Sequence, residues 1–109
     1  MSPPVEPTTP SPFVVYKYPL DLKATQEVRM PLLARILCVQ LQYGRPTLWA
    51  MVNREAAAEN HVMVPVHMVG TGHAEVPRDA DYVGTVQLDE GTLVLHVFHE
   101  AHHARQANG

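Results

Sequence analysis

The sequence predicts an all-β fold, a small antiparallel β-sandwich or barrel of six to seven strands with disordered N- and C-terminal tails. Three observations predict it. Fifteen of the 109 residues are valine, a β-branched residue that loses χ1 freedom in a helix and packs well on a pleated surface. Short apolar runs with period-two alternation recur from residue 13 to residue 99, punctuated by Gly, Pro and Asp turn signals. The one helix-like stretch, REAAAEN at residues 54–60, is long enough for a turn or two within a loop and no more.

In chain order, the first segment is residues 1–12, which holds five of the ten prolines and almost nothing apolar to bury. It reads as an extended flexible tail. FVVYKY at 13–18 is the first strand, closed by Pro19, and residues 24–30 form a second, weakly alternating one that stops at Pro31. RILCVQLQY at 35–43 places Leu37, Val39 and Leu41 on one face and Ile36, Cys38, Gln40 and Gln42 on the other. TLWAMVN at 47–53 follows a turn through Gly44, Arg45 and Pro46, so the two runs form a β-hairpin. VMVPVHMV at 62–69 is a strand whose Pro65 cannot donate to a ladder, which predicts an edge or a bulge. YVGTVQL at 82–88 and TLVLHVFH at 92–99 make a second hairpin around Asp89, Glu90 and Gly91. In it Leu93, Leu95 and Val97 oppose Val94, His96 and Phe98, so both faces are apolar enough to be covered. Residues 13–99 are thus a single β domain, and residues 100–109 a polar, His-containing tail, frayed or briefly helical.

Composition excludes several classes of function. Eight Lys and Arg against eleven Asp and Glu give a net charge of −3, which is the wrong sign for sequence-independent nucleic-acid binding. Charged residues are 17% of the chain, below the usual quarter or so, which leaves surface for a subunit interface. The single cysteine, Cys38, excludes an internal disulfide and an all-cysteine zinc site, and reads as a buried structural thiol. The opening MSPPVEPTTPSP lacks a basic n-region and an apolar h-region, and no run is long enough to span a bilayer. The expectation is a cytoplasmic protein without membrane contact.

The order of motifs YKYPL at 16–20, LWAMV at 48–52, VGTGH at 69–73, YVGTVQL at 82–88 and LVLHVF at 93–98 resembles a family of small phage and prophage proteins of unknown function. The resemblance carries no catalytic or binding residues across. It implies a small, oligomeric accessory protein that acts on host machinery or defence signals, in the host cytoplasm if phage-encoded.

The GTGH loop at residues 70–73 follows a strand directly. Gly70 and Gly72 allow positive φ, so successive amides can converge on an anion, with the Thr71 hydroxyl and the His73 imidazole as further donors. The loop lacks the lysine of a Walker A motif and the three-glycine spacing of a dinucleotide fingerprint, and the plainer reading is a turn. Trp49 offers a ring for a nucleobase, Arg45 or Arg54 a phosphate partner, and Tyr82 a second ring, although a lone hairpin tryptophan is more commonly packing. His99, His102 and His103 would share one face of a helix and could take up zinc or nickel adventitiously. Otherwise they belong to a solvated tail, and no cofactor is expected.

No GxSxG or HExxH motif occurs, and the only serines are Ser2 and Ser11, so the reading leans away from an enzyme. The function expected is a non-enzymatic, homo-oligomeric binding protein that sequesters a small anionic, nucleotide-like ligand such as a cyclic nucleotide. The alternatives are a protein-interaction module for a host or virion protein, and a metal-binding protein built on the C-terminal histidines.

Overall fold

A computed structural model describes residues 10–107; residues 1–9 of the expected N-terminal tail and residues 108–109 lie outside it. The strands are β1 (Phe13–Pro19), β2 (Thr25–Pro31), β3 (Arg35–Gln42), β4 (Arg45–Asn53), β5 (His61–Gly70), β6 (Asp81–Leu88), β7 (Leu93–His99) and β8 (Arg105–Gln106), with one helical turn, α1 (Arg54–Ala57), after β4. They form two antiparallel sheets, ordered β1-β4-β3 and β2-β5-β7-β6, with β8 also pairing with β5. The all-β architecture is the one the valine content and alternation predict. The eighth strand is the two-residue β8, inside the segment expected to be a tail.

Local chemistry sets the connections. The β3–β4 hairpin turns through Tyr43 and Gly44, both at positive φ (51° and 76°), the conformation whose twist matches the flanking strands. Asn53 caps α1, its Oδ1 accepting from the amides of Glu55 and Ala56 at 2.9 and 3.3 Å. Between β6 and β7, Thr92 Oγ1 donates to the Asp89 carbonyl at 2.7 Å and to its carboxylate at 2.8 Å.

The core lies between the sheets. Leu48 of β4, Val39 of β3 and Leu20 meet Met30 of β2, Val64, Val66 and Met68 of β5, Val86 of β6 and Val97 of β7. Each fully buried aliphatic side chain is worth about 1.5–3 kcal/mol against exposure. β6 approaches β3 so closely that a Cβ on Gly84 would stand 2.9 Å from Val39 Cγ1.

Three details differ from the sequence reading. A bulge between Ile36 and Cys38 puts Ile36 opposite Ala50 and Val39 opposite Leu48. Ile36 therefore shares a face with the buried Val39 and with Leu41, which is exposed near the strand end, while Leu37 is the extra residue and is exposed. Pro65 is not on an edge strand, because β5 has β2 on one side and β7 and β8 on the other. Its carbonyl accepts from the Glu100 amide at 2.9 Å, where β7 has ended and β8 has not begun. A strand residue points its N–H and C=O to the same side, so the missing donor falls in that gap. Finally, the outward face of the β6–β7 hairpin is only half covered, with Phe98 and His96 partly buried and Tyr82 exposed.

Residues 101–107 are held against β5. A short 3-10 turn at Ala101–His103 leads into β8, whose Gln106 and Arg105 pair with Val62 and Met63 of β5. The Ala107 amide donates to the His61 carbonyl at 3.0 Å. No helix among the described residues is long and apolar enough to cross a membrane.

Candidate functional site

The GTGH loop leaves β5 at its Gly70 end and folds onto the outward face of β7. His96 is held at both ring nitrogens: Nε2 lies 2.7 Å from Thr71 Oγ1, and Nδ1 lies 2.9 Å from Thr85 Oγ1 on β6. Thr85 Oγ1 is in turn 2.6 Å from the Tyr82 hydroxyl, and the Tyr82 ring stands edge-on to Phe98 with centroids 5.6 Å apart. Gly72 has φ 74°, as the turn demands. The His73 ring folds back over Gly70, where an added Cβ would meet its Cδ2 at 3.2 Å.

Thr71 is thus joined to His96 directly and Tyr82 through Thr85, while His73 packs on Gly70 within the loop. The concavity beside the loop has a volume of about 140 Å³ and is lined by Gly70, Thr71, His73, Thr92, Leu93 and Val94. That is small against the roughly 300–1,000 Å³ of ordinary ligand sites. The His73 amide also donates to the Gly70 carbonyl at 3.2 Å, so one of the donors an anion nest requires is engaged within the turn.

Arg45, Trp49 and Arg54 stand elsewhere. Arg45 belongs to β4, where its Nε donates to the Leu20 carbonyl at 3.0 Å and its guanidinium pairs with Asp21 at 3.2 Å. It ties the β1–β2 connection to the β3–β4 hairpin. Trp49 is half-buried on the outward face of the three-stranded sheet, between Lys17 and Cys38 of the neighbouring strands. Arg54 opens α1, and its amide donates to the Pro12 carbonyl at 2.8 Å. None of the three lines the concavity beside Thr71.

The C-terminal histidines stay near one another, and His102 acts on the His99 ring. The His102 and His103 rings have centroids 4.2 Å apart, and His103 Nε2 lies 4.0 Å from Asp79. Among the described residues no group of three or more His, Cys, Asp or Glu side chains comes together to hold a metal ion.

A larger cavity, of about 620 Å³, opens at the other end of β5. Its walls are the β2–β3 turn from Pro31 to Ile36, Val62 and Val64 of β5, His99 at the end of β7, and Ala101, His102 and Ala104 of the C-terminal segment. In the turn Leu33 adopts φ 64° and is 86% exposed, a costly conformation for a bulky residue. The C-terminal wall is fixed by polar contacts. Glu100 pairs with His67 Nε2 at 3.1 Å while Thr25 Oγ1 holds His67 Nδ1 at 3.1 Å, and Arg105 Nε meets Glu27 at 2.9 Å. Burial holds His99 below the usual imidazole range; Asp81 opposes that shift and His102 reinforces it. The Ala101 amide donates to His99 Nδ1 at 3.0 Å, which favours the neutral ring in the same way.

The sequence reading missed this cavity. The signal available was Leu32 and Leu33, two large apolar residues in a tight connection where polar residues are usual. The long-range part, β8 laid against β5, leaves no periodicity in two residues.

No curated protein and no solved structure matches the chain. A family match does cover residues 13–108, from the first strand through the C-terminal segment that walls the cavity. The chain belongs to the family DUF7352, described as a domain of unknown function.

Proposed function

We propose that the protein is a non-enzymatic binding protein of phage accessory type that holds a small anionic ligand in the cavity between its sheets. The observation that carries this reading is the cavity itself. Its volume of about 620 Å³ lies within the ordinary range for small-molecule sites, and its lining is mostly apolar with a few polar groups. His99, whose pKa burial lowers, is among them, and such groups concentrate at functional sites. Arg35 stands at the rim of the lining, opposite Met51 in the register. It is the only Lys or Arg there, which suits a singly charged ligand better than a polyphosphate.

Native mass spectrometry of untagged protein tests the proposal. The expected result is a small co-purifying mass that is released intact on denaturation and lost when Ala104→Trp fills the cavity. An adduct that survives Ala104→Trp unchanged, or a bare protein that also fails to bind apolar probes, overturns it.

A second reading, a protein-interaction module, is favoured by the outward face of the three-stranded sheet. Phe13 and Val15 of β1 are 51% and 55% exposed there. The register places them on the same face as Trp49 and Met51, which are half-buried. Lys17 and Arg35 border these apolar residues on the same face; an exposed apolar patch with a polar rim suits an interface, and a second copy of the chain is the occupant expected from the low surface charge.

A further inference from the structure

Resting on the cavity as the binding site, we infer that its ligand is an apolar molecule ending in a hydrogen-bond acceptor, a carboxylate, rather than a cation or a polyphosphate. The inference comes from the polar groups that the cavity presents. A backbone amide can only donate, so the 3.0 Å contact from the Ala101 N–H requires His99 Nδ1 to be the acceptor. In the neutral ring the proton then sits on Nε2. That Nε2 has no hydrogen-bond partner among the described residues, while no buried side-chain polar atom among them is left unsatisfied. It is therefore an accessible donor on a residue that lines the cavity.

Arg35 and His102 are the other polar residues of the lining, and the register sets Arg35 opposite Met51, so its side chain starts from the outward face of the three-stranded sheet. Among the described residues no Asp or Glu lines the cavity, and nine of its twelve lining residues are Pro, Leu, Ala, Ile or Val. A ligand that fills this space must bury an apolar body and supply an acceptor. One that brings another donor leaves His99 Nε2 desolvated and unpaired, which is the costly outcome.

One charge opposes the inference and makes the test sharp. Asp81 of β6 stands opposite His99 in the register, and its field acts on the ring. If that field governed the site, an ammonium group would be preferred to a carboxylate. His102, the other neighbour, is an imidazole whose effect on His99 runs the opposite way.

The experiment uses the full chain with Nile red, a neutral dye, as the reporter of cavity occupancy. Decanoate, decanol and decylamine are titrated against it at neutral pH. Decanoate is expected to displace the dye at a concentration about tenfold below that of decylamine, the scale of one charge-assisted hydrogen bond. His99→Leu should bring the two within a factor of about two while dye binding persists. His99→Gln, which keeps a donor, should retain much of the preference, and it serves as the second variant if His99→Leu fails to fold. Decylamine displacing the dye as well as decanoate, or a preference that survives His99→Leu, overturns the ligand class and leaves the cavity reading standing. Dye that does not bind, or that binds the Ala104→Trp protein equally, removes the cavity reading and the ligand class with it.

Discussion

Gly84 of β6 and Val39 of β3 pack so closely that a methyl group on Gly84 would lie 2.9 Å from Val39 Cγ1 and 3.5 Å from the Val39 carbonyl oxygen. This contact joins the two sheets without a hydrogen-bonded ladder between β3 and β6. Gly84→Ala should therefore destabilise the protein by about 1–3 kcal/mol through overpacking. Valine is stiff about χ1 and its backbone is fixed in the hairpin, so there is little room to yield. Urea denaturation measures the loss. Adding Val39→Ala should recover part of it, because the two changes share one contact and are not additive. Strict additivity in the double variant would show that the close approach is not the cause.

His99 makes stability depend on pH in a definite direction. Burial lowers its pKa in the folded protein, with Asp81 opposing and His102 reinforcing. Between the folded and unfolded values the unfolded chain binds more protons, so stability rises with pH there. The His99 contribution is fully present above the unfolded value of about 6.5 and is lost as pH falls toward the folded value. Thermal melts across mildly acidic to neutral pH should show wild type losing stability relative to His99→Gln on acidification. Parallel curves for the two proteins would remove His99 as the source.

The C-terminal segment walls the cavity, and its anchor is the His67 and Glu100 pair, largely shielded from solvent with side chains 14% and 17% exposed. Glu100→Gln should loosen the segment more than Glu27→Gln does, because the Arg105 and Glu27 pair is largely exposed, and such pairs contribute about 0–1 kcal/mol. Amide hydrogen exchange at Ala107 and across β8 reads the difference. Equal protection in the two variants would mean that the β8 ladder alone holds the segment down.

The exposed face carrying Phe13, Val15, Trp49 and Met51 should mediate self-association. Sedimentation velocity is expected to show an oligomer that Val15→Lys dissociates with the fold intact. A wild-type monomer at high concentration would instead assign the face to a different protein.

Much of the architecture was legible in the chain because its determinants are local. Valine content and alternation set strands in place of helices, and Gly44 marked the β3–β4 turn. The alternation of β7 placed Val97 and His96 on opposite faces, as found, and the packing made the Val97 face the core. Asn53, at the start of the one helical turn, caps it through its own side chain.

Tertiary structure decided the rest. A one-residue bulge exchanged Leu37 for Ile36 on the core face, since each added residue reverses the side-chain alternation. Pro65 fits a central strand only because β7 ends and β8 begins on either side of it, an arrangement between distant segments that no local pattern announces. The candidate site divided along the same line. Thr71 and Tyr82 were legible as residues, but their link through His96 and Thr85 depends on β5, β6 and β7 lying side by side. The cavity exists because the β2–β3 turn, β5 and the C-terminal segment enclose one space. Sequence fixes which side chains are apolar or titratable, whereas a cavity is a property of how separated segments pack.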